Sequence, residues 1–274
     1  MVKASCHAGD SPWHYQPHKQ CLTDYPVDCD EPGLLPDRQT SLKRIGEHQR
    51  RLWANQEKSL LLVFHGMDAS GKDSLIRTLA TYMDPSSFHA WSFSRPRGSE
   101  TRHDMLWRVT PLLPAFGEVT AFNRSHHEAV IAERAWPVWP AERYNWEHRH
   151  TSLRHFEQHL VHEGTTILKF WLNLSEAEHR RRLLKRLEKP HKQWKFDPSD
   201  IDAWQRRSEL QRYAEEAIAA THTSEAPWLI IPGDRKTVAR DIVAGIVADE
   251  LMALAPEYPQ ADRQVLQDYR LLLE

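Results

Sequence analysis

Residues 60–73 read Leu-Leu-Leu-Val-Phe-His-Gly-Met-Asp-Ala-Ser-Gly-Lys-Asp. Gly66, followed by Gly71-Lys72, has the spacing G-x-x-x-x-G-K of a phosphate-cradling loop. Glycines let such a loop turn tightly and bring its N–H groups up to phosphate oxygens. A helix starting near Gly71 adds unpaired amides and a positive dipole end. Lys72 adds a mobile point charge. Gly66, Ala69, Ser70, Gly71, Lys72 and Asp73 are therefore the candidate cradle. Two carboxylates stand out in it. Asp73 occupies the place after the lysine where a magnesium-binding Ser or Thr is usual, and it reads equally as a helix cap or a functional group. Asp68 lies where a like-charged phosphate would approach. That placement makes sense with a divalent cation between the two, which makes Asp68 the candidate ligand of Mg²⁺, with Mn²⁺ as the alternative.

A second group of charges follows the fourth apolar run. Residues 180–195 hold eight Lys or Arg against one Glu, in a chain of net charge −2. Solvated helix faces normally mix signs in i,i+4 pairs, and this one does not. A lid over a polyanion fits it, spanning about residues 176–200, with Arg182, Arg186, Lys192 and Lys195 as phosphate ligands. Pro190 should end the helix and leave Lys192, Trp194 and Lys195 on a loop. A third group surrounds the second and third runs. Arg95 and Arg97 follow Ser92-Phe93, and His103-Asp104 and Arg108 come next. Asn123 and Arg124 end the third run, with Glu128 and Arg134 on the helix after it. These arginines lie within reach of one cleft, although some must form surface ion pairs instead.

The elements that position these residues alternate. Short apolar runs at Leu60–Phe64, His89–Phe93, Val119–Phe122, Thr166–Leu172 and Trp228–Ile231 suit strands covered on both faces. Helical patterns fall at about Ser41–Glu57, Lys72–Met83, His103–Leu113, Ser125–Arg134, Ala141–Glu163, Glu176–Lys189, Asp200–Ala220 and 235–254. Strand alternating with helix implies parallel pairing and right-handed crossovers. The expected fold is α/β, a P-loop kinase-like parallel sheet of about five strands with helices on both faces and a helical lid. Ligands should bind at the carboxyl ends of the strands. Residues 1–40 read as an N-terminal arm, 41–256 as the phosphate-binding domain, and 257–274 as a C-terminal helix that packs on the domain or on another subunit.

The 274 residues are 40% hydrophobic and 27% charged, enough for a packed core. The near-neutral charge argues against a nucleic-acid-coating surface, and no aromatic platform or recognition helix accompanies the basic run. No secretory or membrane-spanning run is visible, so a cytoplasmic protein without a membrane partner is expected. Cys6, Cys21 and Cys29 are odd in number and lack C-x-x-C pairing, which points to reduced thiols rather than a disulfide framework or, with His7, His14 and His18, a zinc site.

Taken together, the motifs resemble the family-2 polyphosphate kinases. The likeness lies in Gly66-Met67-Asp68-Ala69-Ser70-Gly71-Lys72-Asp73, Ser92-Phe93 with Pro96, His103-Asp104, Leu106-Trp107-Arg108, and Phe122-Asn123-Arg124-Ser125-His126 with Glu128 and Arg134. It continues in Lys169-Phe170, Arg182, Arg186, Pro190, Lys192, Trp194-Lys195-Phe196 and Ala226-Pro227-Trp228, and spans roughly residues 40–254. The resemblance implies Mg²⁺-dependent phosphoryl transfer from inorganic polyphosphate to AMP, ADP or another nucleotide, in a homodimer or homotetramer. It makes Asp68, Lys72, Arg124 and Arg134 catalytic and adds Lys169 to the polyphosphate ligands. Arg95, Arg97, His103, Asp104, Arg108, Asn123 and Glu128 become nucleotide ligands. Departures include His65 for Gln or Glu, Ser94 for a common Lys, and His127 and Ala129 for Tyr and Asp. Asn123 replaces the aspartate of some members and matches others that act on AMP. The alternatives are a conventional ATP-dependent nucleotide kinase and a non-catalytic polyphosphate- or nucleotide-binding protein.

Overall fold

The uninterrupted apolar run at residues 60–64 can be satisfied only by burial on both faces, and it forms the middle of the sheet. In a computed structural model, residues 11–19, 21–255 and 257–274 are described. The chain runs α1 (Arg38–Asn55), β1 (Ser59–Gly66), α2 (Lys72–Ala80), β2 (Phe88–Ser92), β3 (Val119–Asn123), α3 (Ala132–Ala135), α4 (Trp146–His162) and β4 (Thr165–Asn173). It continues α5 (Glu176–Glu188), α6 (Pro190–Gln193), α7 (Pro198–Gln205), α8 (Arg207–Thr221), β5 (Trp228–Pro232), α9 (Lys236–Leu254) and α10 (Arg263–Leu273). The five strands are all parallel in the order β2-β3-β1-β4-β5, with Leu61 opposite Thr120 on β3 and Ile167 on β4. The expected α/β sheet with helices on both faces is what forms.

Period-2 alternation sends the β1 side chains to opposite cores. Leu60, Leu62 and Phe64 pack with Leu168 and Phe170 under apolar residues of α1, α2 and α9. Leu61 and Val63 face Phe93, Phe122 and Ile167 on the other side. Trp171 joins Leu210, Ala214 and Ile218 of α8. Chain direction diverges to either side of β1, toward β3 and toward β4, so the crevice at its carboxyl end is a topological switch point.

The connections differ from the sequence reading where local side chains compete with helix. Residues 103–113 form no α-helix. Asp104 Oδ1 accepts from the amides of Leu106 (2.8 Å) and Trp107 (3.2 Å), an Asx turn, and one 3₁₀ turn follows at Thr110–Leu112. Residues 125–134 split into a 3₁₀ turn, His126–Ala129, and the one-turn α3, because Ser125 caps the amide of His127. α4 starts late, at Trp146, where Asn145 caps the amide of His148. The helix expected over 200–220 breaks at Arg206 into α7 and α8. Pro190 does end α5, but it also opens the turn α6, so Lys192 is not on a loop.

The described part of the arm covers the outer edge of β5. Tyr15 donates its amide to Trp228 O (2.9 Å) and Ile230 donates to Trp13 O (2.7 Å). Trp13, Leu22, Tyr25 and Cys29 are buried. Cys21 and Cys29 are free thiols, and Cys6 and His7 lie outside the described residues. Among the described residues no helix is long and apolar enough to cross a membrane. No residue of α10 is buried.

Candidate active site

The phosphate loop joins the end of β1 to the start of α2, and its geometry depends on glycine. Gly66 has φ +140°, and a Cβ there would stand 2.9 Å from Leu172 O. Gly71 has φ +112°, and Ala69 takes the left-handed region at φ +60°. The amides of Gly71, Lys72 and Asp73 have no acceptor among the described residues, as expected of an uncapped helix start. Lys72 Nζ folds back to donate to Gly66 O (2.8 Å), Met67 O (3.1 Å) and Ser70 Oγ (3.3 Å). Burial, with the Arg124 cation beside it, brings the Lys72 ammonium down to about 8. Arg182 clamps the loop from outside. One of its nitrogens donates to Ser70 O (2.6 Å) and Ala69 O (3.3 Å), another to Gly233 O (2.7 Å) and Asp234 O (2.8 Å), and Nε to Glu178 (2.6 Å).

Arg124, just past the end of β3, sits beside Asp68. Its backbone is held in the left-handed region at φ +63°, with its amide donated to Phe64 O at 2.9 Å. Strained non-glycine residues of this kind cluster at functional sites. The guanidinium donates to Asp68 Oδ1 and lies 3.5 Å from Glu128. Burial alone would raise the Asp68 carboxyl, but Arg124 and Lys72 outweigh it and hold the group below its ordinary range. At Glu128 burial wins instead, and the carboxyl is raised. His65 Nε2 is 2.8 Å from Ser125 Oγ, and its Nδ1 is 3.4 Å from Glu128. Burial among cations keeps His65 neutral, well below its usual range.

Two clefts meet at this pair. The first, about 700 Å³, runs from the loop between α2, α5, α6 and the start of α9. Its lining holds ten Lys or Arg side chains against four carboxylates. The second, about 550 Å³, is lined by Phe93, Pro96, Ala132, Trp136 and Ala203 with Arg95, Arg97, Glu128 and Glu133. Asp68 and Arg124 line both. One cleft suits an extended polyanion, the other a partly apolar ligand with an anionic end, and the two open onto each other at one carboxylate and one guanidinium.

Of the sequence-predicted residues, Asp68, Ala69, Ser70, Gly71, Lys72, Asp73, Asn123, Arg124, Arg182, Arg186, Lys192 and Lys195 line the first cleft. Arg95, Arg97 and Glu128 line the second. Asn123, expected on the nucleotide, instead donates to Asp73 in the first cleft. Arg186 is paired with Asp200 at 2.8 Å. His103, Asp104 and Arg108 line neither cleft. His103 stacks on Trp107 (3.9 Å), Asp104 makes its own turn, and Arg108 donates to Ser94 O (2.6 Å), bracing the 94–108 segment.

Two further predicted residues, Lys169 and Arg134, also line neither cleft. Lys169 is wholly buried on the α4–α8 side of the sheet, bonded to Glu157 and to Thr221 O. Its place on a central strand points it into a layer of helices, not at the strand end. Arg134 bonds Glu216, with its guanidinium 4.2 Å from the Tyr213 ring centre. The break between the 3₁₀ turn and α3 rotates it toward α8. The sequence reading missed Arg77, Arg181, Lys185 and Lys236 in the first cleft and Trp136, Asp197 and Asp202 in the second. Arg181 and Lys185 lay inside the basic run. Lys236 follows the end of the last strand, the position the strand-end rule singles out.

Asp68 and Asp73 each use one carboxylate oxygen on a protein partner and keep the other free of hydrogen bonds among the described residues. Both residues line the first cleft, and carboxylate oxygens are hard ligands that fit a divalent cation. His126, His127 and Glu157 also lie close enough to share a metal. There both imidazoles donate from Nε2 to Glu157 Oε1 (3.0 and 2.8 Å) and Lys169 neutralises the carboxylate, so the carboxylate is already matched by three donors, while both Nδ1 atoms are buried without a hydrogen-bond partner among the described residues.

Residues 35–258 match the family profile described as Polyphosphate kinase 2 (PPK2). The chain is 36% identical over 231 residues to an ADP-polyphosphate phosphotransferase of Rhodopseudomonas palustris, covering 81% of this chain and 80% of the relative. It is 38% identical over 220 residues to an AMP/ADP-polyphosphate phosphotransferase of Meiothermus ruber, covering 80% and 82%. The crystal structure of polyphosphate kinase 2 from Arthrobacter aurescens superposes with a TM-score of 0.89 at 29% identity, over 99% of this chain and 98% of that one.

Proposed function

The chain belongs to the polyphosphate kinase 2 family, and from that premise we propose that it moves a phosphoryl group between inorganic polyphosphate and a nucleoside mono- or diphosphate, with Mg²⁺ as the divalent ion. The observation that carries this reading is the junction of a cationic cleft and a partly apolar one at Asp68 and Arg124. Polyphosphate occupies the first cleft with its terminal phosphate over the loop amides. The nucleotide occupies the second, with its phosphate directed at Arg124. The relatives' names, ADP- and AMP/ADP-polyphosphate phosphotransferase, support both substrate classes.

The chemistry asks little of a base. The acceptor's attacking oxygen belongs to a phosphate whose second pKa is about 6, so it is already ionised near neutrality. It attacks the terminal phosphorus of the donor. The P–O–P bond to the next phosphate breaks, and the shortened chain leaves with the electron pair on its oxygen. The obstacle is the approach of two polyanions, so catalysis reduces to alignment and charge neutralisation. Loop amides and Lys72 hold the transferring group, Arg124 bridges donor and acceptor, and Asp68 and Asp73 are the residues that would hold the cation. Bound there, the ion supplies charge neutralisation to the phosphate oxygens.

The test is donor choice and two variants. Purified protein with Mg²⁺ should convert AMP or ADP with polyphosphate and not with ATP as donor. Lys72→Ala and Asp68→Asn should each lower kcat by on the order of 10²–10³ while remaining folded. Preference for ATP would favour a conventional nucleotide kinase. Binding of polyphosphate without metal-dependent transfer would favour a non-catalytic binder.

A further inference from the structure

We propose that Lys236 is a donor-binding residue, the fixed wall that holds the polyphosphate chain beyond its transferring phosphate. The inference rests on the reading of the first cleft as the donor site. The turn before Lys236 is immobilised on several sides. Gly233 packs so closely that a Cβ would stand 2.7 Å from Asn173 O. Asp234 donates its amide to Val27 O (2.9 Å) and accepts from Ser175 N (2.9 Å). Arg235 is tied to Asp28 and Asp30 of the arm. Lys236 thus emerges from a rigid base at the first position of α9 and reaches over the phosphate loop. Its Cε lies 3.7 Å from where a Cβ on Gly71 would stand, and an Arg182 nitrogen lies 3.8 Å from the same point.

Two features mark it as a ligand residue. Arg182 and Arg186 have carboxylate partners, whereas the Lys236 ammonium has no hydrogen-bond or ion-pair acceptor among the described residues. A cation in the first turn also opposes the helix dipole. Locally unfavourable choices of this kind are expected where function demands them, and a polyanion beside Gly71 would reverse the sign of both effects. Lys236 lines the first cleft and not the second, so the anion is the donor chain rather than the acceptor. Lys185 and Lys192 line the opposite, lid side, and a linear phosphate chain leaving the loop would run between the two walls.

Lys236→Ala and Lys236→Arg would be compared with wild type, first by titrating long-chain polyphosphate calorimetrically and then by steady-state transfer to AMP or ADP. The alanine variant should bind polyphosphate roughly tenfold more weakly, the loss of one charge-assisted contact. Donor KM should rise by the same factor, with kcat and acceptor KM within about twofold. The arginine variant should recover most of the affinity. Unchanged polyphosphate binding by the alanine variant overturns the proposal, as does an equal rise in acceptor KM. The binding titration decides the role of Lys236 even if wild type transfers no phosphate, an outcome that would sink the functional reading instead.

Discussion

Lys169→Met should unbalance the fold and leave the donor site intact. The family resemblance puts this lysine on the polyphosphate, but its side chain is fully buried, with Nζ donating to Thr221 O (2.8 Å) and to Glu157. Burial lowers its pKa and Glu157 pulls the other way. Methionine fills similar volume, so the cavity term is small. What is lost is the cation facing a buried carboxylate, which costs about 3–5 kcal/mol when one partner is removed. The imidazoles of His126 and His127 still donate to Glu157, which places the expected loss near the lower end, about 3 kcal/mol. That is a large part of a typical stability of about 5–15 kcal/mol, and it should lower Tm by roughly 6–12 °C. Urea denaturation of both proteins measures the loss. Donor KM, measured well below the melting range, should stay within about twofold, and Lys169→Met/Glu157→Gln should recover part of the stability. A variant destabilised by less than about 1 kcal/mol, with donor KM raised tenfold or more, would refute the structural assignment and return Lys169 to the substrate.

Other outcomes follow from the same structure. Burial is the main cause that brings the Lys72 and Lys236 ammonium groups down to about 8. Both are charged below that pH and lose the proton as pH rises through it, and a bound polyanion favours the charged form. Once the acceptor phosphate is ionised, above about pH 6, donor kcat/KM should therefore be level to about pH 7 and fall above about 8, with proton uptake on polyphosphate binding; a profile flat to about pH 9.5 would be inconsistent with this. Arg182→Ala should lower both stability and donor affinity, since it releases the loop carbonyls of Ala69 and Ser70, whereas Lys192→Ala, on the exposed lid, should raise only donor KM, in a salt-dependent way. Melting curves and donor titrations at two salt concentrations separate them, and equal melting temperatures would contradict the clamp. Gly46→Ala should destabilise despite a gain in helix propensity of about 1 kcal/mol, because its Cβ would sit 2.4 Å from Tyr82 O; a higher denaturation midpoint would count against that packing.

The sequence alone determined the parts of this protein that depend on neighbours in the chain. An apolar strand, glycines at the right spacing and a lysine opening a helix specify a phosphate cradle wherever they occur, because the loop's own backbone does the binding. Five short apolar runs separated by helical patterns likewise dictated a parallel sheet with the cradle at a strand end. Element boundaries failed where a side chain offered the backbone a competing hydrogen bond, as at Asp104 and Ser125. Tertiary structure decided what the chain pattern could not: which of many cations face the ligand. Lys169 and Arg124 are both basic residues on or just after a strand, yet one meets a carboxylate inside the core and the other meets Asp68 at the mouth of two clefts. Arg182 closes on the carbonyl of Ser70 and Lys236 reaches over Gly71, contacts between residues more than a hundred positions apart. A charge's role depends on the partner it finds in space, and spacing along the chain carries no record of that partner.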